Sequence, residues 1–290
     1  MAAKSAIAWR NWCFEVGTAV NNYNFATVPP ISNLTTPRTS ELVFSNNIAA
    51  DYAEFQVEWT GGRAVDMVAI LNHNMLGPDT KPQVELWDSD GSTVLGTIFI
   101  GVNSINLEVQ RHMYVLFEEA EDFDFKDVVK VIVTFPQRTG TIKYGKQDEW
   151  TEIYTPEQLS VGGLWAGPLW YPQNPFRNTG WGQGVTEVKR AATSIGGQEY
   201  RSPEPRRRRM PVSLPLLSQE EVYQYEAFPY SAQRIFNWLG TSQPLIAIPD
   251  INDAEATFLQ AVYGYLDQDP QWTSLETAGY SVSLSITEAL

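Results

Sequence analysis

The stretch Gly140-Thr141-Ile142-Lys143-Tyr144-Gly145-Lys146-Gln147 has the GxxxxGK spacing of a phosphate-binding loop and follows a strand-like run. That chemistry also needs a hydroxyl after the lysine to hold Mg²⁺, a loop whose amides converge, and a helix that starts at the lysine. Gln147 stands where the hydroxyl belongs, and Thr141 to Tyr144 alternate like a strand. The segment therefore reads as a hairpin or edge strand with glycine at both ends. The two histidines, His73 and His112, lie far apart in sequence, which excludes HExxH and His-rich metal sites. Asn72-His73-Asn74 closes an apolar run, where short polar side chains cap the backbone of the following turn, so His73 is read as structural. Asp88-Ser89-Asp90-Gly91-Ser92 has the oxygen spacing of half a calcium loop. It lacks the distal bidentate Glu, and Asp-Gly between two strands is a hairpin turn.

Glu118, Glu119, Glu121, Asp122, Asp124 and Asp127 form an acidic run. Paired carboxylates hydrolyse glycosides when they flank one bond, a geometry that sequence spacing does not supply, so the run reads as a solvated loop. No G-x-S-x-G, no neighbouring Cys/His pair and no dinucleotide fingerprint occurs, so nucleophilic and redox catalysis have no motif. No catalytic residue, cofactor site or metal site is assigned, and the expectation is a protein that is not an enzyme. Arg206, Arg207, Arg208 and Arg209 form the sharpest charge feature. They precede the strand-like Met210 to Ser218, so alternate arginines face opposite sides and two can meet acidic neighbours bidentately. The run reads as a subunit interface, as a pore wall facing DNA, or as a solvated basic loop.

The elements that carry these residues are mostly strands. From Ala53 to Phe135 the chain is a succession of short runs with turn signals at Gly61-Gly62, Gly77-Pro78-Asp79, Asp88 to Gly91 and Asn103-Ser104. Phe55, Val57 and Trp59 alternate with polar residues, whereas VDMVAIL and VVKVIVTF are nearly continuous and read as strands buried on both faces. Short strands with frequent turns predict an antiparallel sandwich or jelly roll. Gly162 to Asn178, with aromatics between prolines and glycines, reads as a connector lying against a surface. Beyond Gly180 come strands, a helix opened by Ser218 with Glu221 in capping-box position, a second helix ending on Gly240, and closing strands. The fold class is thus mainly β, an N-terminal antiparallel β-sandwich or jelly roll followed by an α+β domain. The expected boundaries are an N-terminal arm over 1–29, the sandwich over 30–150, the connector over 151–179 and the α+β domain over 180–290.

Composition narrows the function classes. The 290 residues include 34 acidic against 20 basic side chains, a net charge of −14 that repels a polyphosphate backbone wherever cations are not gathered. A single cysteine, Cys13, excludes an intrachain disulfide and a Cys-rich metal site, and fits synthesis in a reducing cytoplasm. No apolar stretch reaches the length of a membrane span and the first residues lack a signal-peptide core, so no membrane insertion is expected.

The buried run with its asparagines, VDMVAILNHNML, resembles the discoidin-like, galactose-binding-like modules in tail proteins of tailed bacteriophages. The second half adds Gly196-Gly197-Gln198-Glu199-Tyr200-Arg201-Ser202, the arginines leading into MPVSLPLLS, a helix, PLIAIPD, YGYL and a closing SVSLSITEA. That order is similar to minor tail and distal tail proteins, and the two stretches cover most of residues 30–290. The resemblance implies a structural virion protein at the tail tip, made in the host cytoplasm. Its C-terminal tail-tube-like domain would join copies into a ring, a hexamer or a trimer, and the jelly roll would project outward. The implied partners are the chain itself, neighbouring tail-tube, hub and tip or fibre proteins, and DNA only where it passes through a central channel. Expected interface residues are Arg206, Arg207, Arg208, Arg209, Trp165, Trp170, Tyr171, Phe176 and Trp181, and charge reversal of the arginines is expected to stop assembly with the fold intact. The rival readings are a carbohydrate-binding module for host-surface glycan, with Trp59 or Trp87 stacking on sugar, and a polysaccharide hydrolase.

Overall fold

The computed structural model describes residues 4–47, 51–74, 82–99, 112–117, 125–136, 141–144, 151–154, 158–176, 180–186, 190–193, 199–202, 207–223, 230–253, 257, 259–275 and 279–289. The chain is mainly β with antiparallel sheets and divides into two compact units. The first comprises Ile7–Trp170 and Asp250–Ala261, the second Met1–Ala6, Tyr171–Pro249 and Val262–Leu290.

In the first unit, β1 (Ala6–Ala8) leads into α1 (Trp12–Val16) and β2 (Thr18–Tyr23). A 3-10 turn (Ile31–Thr35), β3 (Val43–Asn47), β4 (Ala53–Arg63), β5 (Met67–Leu71), β6 (Gln83–Asp88), β7 (Thr93–Leu95) and β8 (Thr97–Phe99) follow. Next come β9 (His112–Leu116), β10 (Val128–Phe135), β11 (Thr141–Tyr144), β12 (Thr151–Tyr154), β13 (Gln158–Val161), β14 (Gly163–Gly167) and β15 (Leu169–Trp170). Five strands form one sheet in the order β2-β4-β10-β6-β7, and four form another in the order β14-β5-β9-β8. Alternate residues of β4 (Phe55, Val57, Trp59), β10 (Val131, Val133, Phe135) and β6 (Val84, Leu86) share one core. They meet there with Val68, Ile70, Met113, Val115 and Leu164 from the second sheet. This is the sandwich the alternation predicts, because each pleated face must find apolar cover.

Three expectations are corrected. Residues 1–29 are not an arm: Trp12 and Cys13 belong to the sandwich core, and β2 is an edge strand of the five-stranded sheet. The segment beginning at Gly162 is not a connector, since β14 pairs with β5 over its whole length and is buried throughout. Its glycines serve close approach rather than flexibility: a Cβ at Gly162 would lie 2.0 Å from the Thr39 carbonyl oxygen, and one at Gly167 1.9 Å from that of Arg10. Finally, β5 is buried on both faces as VDMVAIL predicts, but β10 is not. Its Val129, Lys130, Ile132 and Thr134 remain half-exposed on the sheet's outer side.

The turn and cap readings are matched by contacts. Asp88 Oδ1 accepts from Asp90 N (3.1 Å) and Ser92 N (2.8 Å), with Gly91 at φ +82°, so Asp88 to Ser92 is a hairpin turn. Asn72 Nδ2 donates to the Thr39 carbonyl (2.7 Å), Asn74 Oδ1 accepts from Ser160 N (2.8 Å), and His112 Nδ1 accepts from Asn72 N (3.1 Å). His73 is buried beside them. β11 and β12 form an antiparallel hairpin, as Thr141 to Tyr144 imply, while Gly140, Gly145, Lys146 and Gln147 lie outside the described residues. So do Glu118, Glu119, Glu121, Asp122 and Asp124. Asp127 accepts a hydrogen bond from Ser89.

The second unit contains β16 (Gly184–Thr186), β17 (Arg190–Thr193), β18 (Glu199–Ser202), β19 (Arg207–Ser218), α2 (Gln219–Tyr223) and α3 (Ala232–Leu239). They are followed by β20 (Leu245–Ile248), β21 (Val262–Leu266), β22 (Gln271–Leu275) and β23 (Gly279–Glu288). Its sheet runs β20-β21-β23-β19-β16, with β22 also on β23 and β17–β18 as a separate hairpin. Ala232, Ile235, Phe236 and Leu239 put one apolar stripe of α3 into the core, with Ser231 as N-cap and Gly240 at φ +46° ending the helix. Ser218 Oγ accepts from Glu221 N (3.1 Å), the N-terminal half of the predicted capping box.

Glu221 is fully buried, and its Oε1 accepts from Gln173 N (3.0 Å). Burial holds its carboxyl above the usual carboxylate value of 4.5, while the amides of Gln173 and Ser218 pull the other way. A raised folded-state pKa contributes stability that is complete below 4.5 and is lost as pH rises through the folded value. Glu221→Gln keeps an acceptor for Gln173 and never ionises. In thermal unfolding from pH 4 to pH 8, its melting temperature should pull ahead of wild type as pH rises and then hold a constant lead. A lead that is flat across that range contradicts the assignment.

Candidate functional site

Strand β10 does not keep a strict period of two. Val128, Val131, Val133 and Phe135 point inward, so one extra residue lies between the first two. The register against both β4 and β6 shifts at the same place, between Val128 and Lys130. This β-bulge puts two successive side chains, Val129 and Lys130, on the outer face. The Val128 carbonyl accepts from Trp59 Nε1 at 2.8 Å.

A cleft of about 360 Å³ opens at the bulge, lined by Val16, Thr18, Glu58, Trp59, Thr60, Val129 and Lys130. Each side chain arrives for a local reason. Glu58 and Thr60 are the outward residues of β4, and Thr18 stands opposite Glu58 on the edge strand β2. Val16, 43% exposed, ends α1 and forms the apolar wall. Across the strands the outer row reads Thr18, Glu58, Lys130, Trp87, Thr93. Lys130 Nζ sits 4.2 Å from the Trp87 ring centroid, a cation–π contact, while Trp87 Nε1 donates to Glu85 Oε2 (3.1 Å) and Gln56 Nε2 donates to Glu58 Oε2 (3.0 Å). The cleft thus offers an ammonium, a carboxylate, two hydroxyls and an apolar wall. That set hydrogen-bonds a small polyhydroxylated ligand, and the volume lies at the lower end of small-molecule sites. Among the described residues, no group of three or more His, Cys, Asp or Glu side chains is placed to hold a metal. No helix among them is long and apolar enough to cross a membrane.

The two tryptophans read as glycan contacts differ. Trp59 is 7% exposed and its indole N–H is committed to Val128, so it is a core residue at the cleft's edge and offers no face for stacking. Trp87 is half-buried on the outer face beside Lys130. The sequence reading missed Thr18, Glu58, Thr60, Val129 and Lys130. The slip in period within Val128-Val129-Lys130-Val131 was the available signal.

The expected interface residues scatter. Trp165 and Phe176 are fully buried and Trp170 is 4% exposed, which removes them as contacts for another protein. Their apolar rings are consumed by this chain's own packing. Tyr171 is half-buried with Lys4 Nζ 4.2 Å from its ring, and Trp181 bridges to Val212. Arg206 lies outside the described residues. Arg207 is half-exposed and pairs across to Thr186. Arg208 Nη2 lies 2.6 Å from Glu288 Oε1, and its backbone N–H donates to Glu288 Oε2 (3.0 Å), with the two side chains 14% and 10% exposed. On the opposite side Arg209 Nε contacts Asp267 Oδ2 (3.0 Å) and Ser285 Oγ (2.9 Å). The successive residues Arg208 and Arg209 thus face opposite sides of β19, each with a carboxylate. Arg209 also borders a cleft of about 500 Å³ with Gly182, Gly184, Val185 and Pro211, on the outer edge of the sheet at β16. Asp267 is held below the usual carboxylate range by Ser285, Thr287 and Arg209, which outweigh its desolvation.

No family model matches this chain, and no curated protein matches it. Two similar solved structures are carbohydrate-binding modules of family 32 from Clostridium perfringens. CpGH89CBM32-4, in complex with GlcNAc-α-1,4-galactose, is 15% identical with a TM-score of 0.35, over 57% of this chain and 96% of that one. The module of NanJ, in complex with galactose, is 13% identical with a TM-score of 0.33, over 56% of this chain and 98% of that one.

Because Arg208 is paired with Glu288, reversing the whole arginine run is expected to destabilise the second unit rather than leave the fold intact. Arg208→Glu places like charges together out of water and should cost the second unit about 3–5 kcal/mol. Arg207→Glu should change stability by less than about 0.5 kcal/mol. Calorimetric unfolding of the two variants checks this, and equal losses would contradict the pairing.

Proposed function

We propose that this chain is a non-enzymatic structural protein of a bacteriophage tail tip whose jelly-roll unit carries a carbohydrate-binding surface. The observation that supports the binding part is the polar cleft at the β10 bulge, where Lys130, Glu58, Thr18 and Thr60 converge beside Trp87. Hydroxyl-rich ligands are held by such mixed donors and acceptors around a semi-exposed aromatic. The assembly part rests on the resemblance of the second half to minor and distal tail proteins. The edge at β16, which no further strand covers among the described residues, favours it as well: Val185 is 65% exposed next to Gly182 and Gly184, a strip suited to burial against a further copy. In this reading the second unit joins copies into a ring that meets tube, hub and fibre proteins, and the first unit faces outward toward host-surface glycan. The protein acts in the virion after synthesis in the host cytoplasm.

The test combines solution mass and negative-stain images of the purified full chain, at low and high salt, with a glycan array. The expected outcome is a ring-shaped oligomer that shows saturable binding to a subset of sugars. A strict monomer under all conditions contradicts the assembly part, and an array without saturable binding contradicts the carbohydrate part.

A further inference from the structure

Among the described residues, Lys130 is the one cationic residue lining the bulge cleft, on a sheet face whose other charged side chains are Glu54, Glu58 and Glu85. Glu58 stands directly across from it on β4, yet among the described residues Lys130 makes no ion pair. Glu58 accepts from Gln56 instead, and the Lys130 ammonium is turned over the Trp87 ring. The side chain is half-buried and its neighbours fix where the charge sits. A ligand that covers the cleft removes the remaining water from that ammonium, which is unfavourable for a neutral ligand and offset by an anionic one. The acidic surroundings and the chain's net charge of −14 disfavour a dense polyanion, so the fitting anion is a single carboxylate on an otherwise hydroxyl-rich molecule.

We propose that the cleft beside Lys130 selects sugars that carry a carboxylate, which pairs with the Lys130 ammonium while ring hydroxyls bond to Glu58, Thr18 and Thr60. This rests on the carbohydrate reading of the same cleft. Uronic and sialic acids share that chemistry, and separate probes distinguish them.

Calorimetric titration of the full chain with galacturonate, 3′-sialyllactose and lactose reads the selection directly. At least one acidic sugar should bind about ten- to a hundredfold more tightly than lactose. Raising the salt should weaken the acidic sugar and leave lactose unchanged. Lys130→Met keeps the aliphatic stem over Trp87 and should abolish the preference, bringing the acidic sugar down to the affinity the same variant shows for lactose. Glu58→Gln removes a nearby like charge and should tighten the acidic sugar severalfold, a gain that a misfolded variant does not produce. Equal binding of acidic and neutral sugars by the wild type, or a preference that survives in Lys130→Met, overturns this inference and leaves the carbohydrate reading standing. Failure of all three sugars to bind overturns both.

Discussion

The first unit depends on one buried amide. Asn11 is 3% exposed, and its side chain makes three hydrogen bonds: Oδ1 accepts from Cys13 N and from Ala166 N, both at 3.0 Å, and Nδ2 donates to the Leu164 carbonyl at 3.0 Å. It caps α1 and at the same time ties that helix to β14, a strand far away in sequence. Left unpaired, each of these backbone groups would be costly in an interior that offers no water. Trp12 and Cys13 follow into the core, where burial pushes the Cys13 thiol well above its ordinary pKa. Gly17 then turns the chain into β2, at a site where a Cβ would meet Val57 at 2.7 Å.

That constraint reaches the cleft. Val16 and Thr18 line it only because α1 is clamped on β14 and β2 is thereby delivered to the edge of β4. The opposite wall depends on a second local device, the bulge that spends one extra residue of β10 to turn both Val129 and Lys130 outward. Trp59 stabilises this distortion by bonding the Val128 carbonyl. A bulge so pinned is a fixed feature, and it holds the Lys130 ammonium in place between a carboxylate and an aromatic ring. In the second unit the same economy governs the arginine run. Arg208 and Arg209 stand on opposite faces of β19 with a carboxylate each, so much of an apparently loose positive cluster is spent on holding the sheet together.

Much of the fold was legible because it follows from short-range rules. Alternation located β4 and β6, the capping signals at Ser218 and Gly240 located both helices of the second unit, and Asp-Gly located the β6–β7 turn. The failures share one cause, long-range pairing. Nothing near Asn11 announces that its partner is β14, so residues 1–29 read as an arm, and the glycines and prolines around Trp165 read as a connector. Those glycines are required by backbones approaching from Arg10 and Thr39, which composition does not reveal. For the candidate site, aromatic type drew attention to Trp59 and Trp87. Burial then separated them, and the polar residues that shape the cleft carried only a weak sign, a slip of one residue in the β10 pattern.

The central claim is that α1 and β14 form one clamped framework from which the cleft is hung. Native-state hydrogen exchange at the amides of Cys13 and Ala166, the two that donate to Asn11, tests it most directly. The account predicts that both exchange only through openings as costly as those that expose Val57 and Val131 in the sandwich core. Exchange of these two amides at the rate of a frayed arm or a surface connector, with Val57 and Val131 still protected, would contradict it.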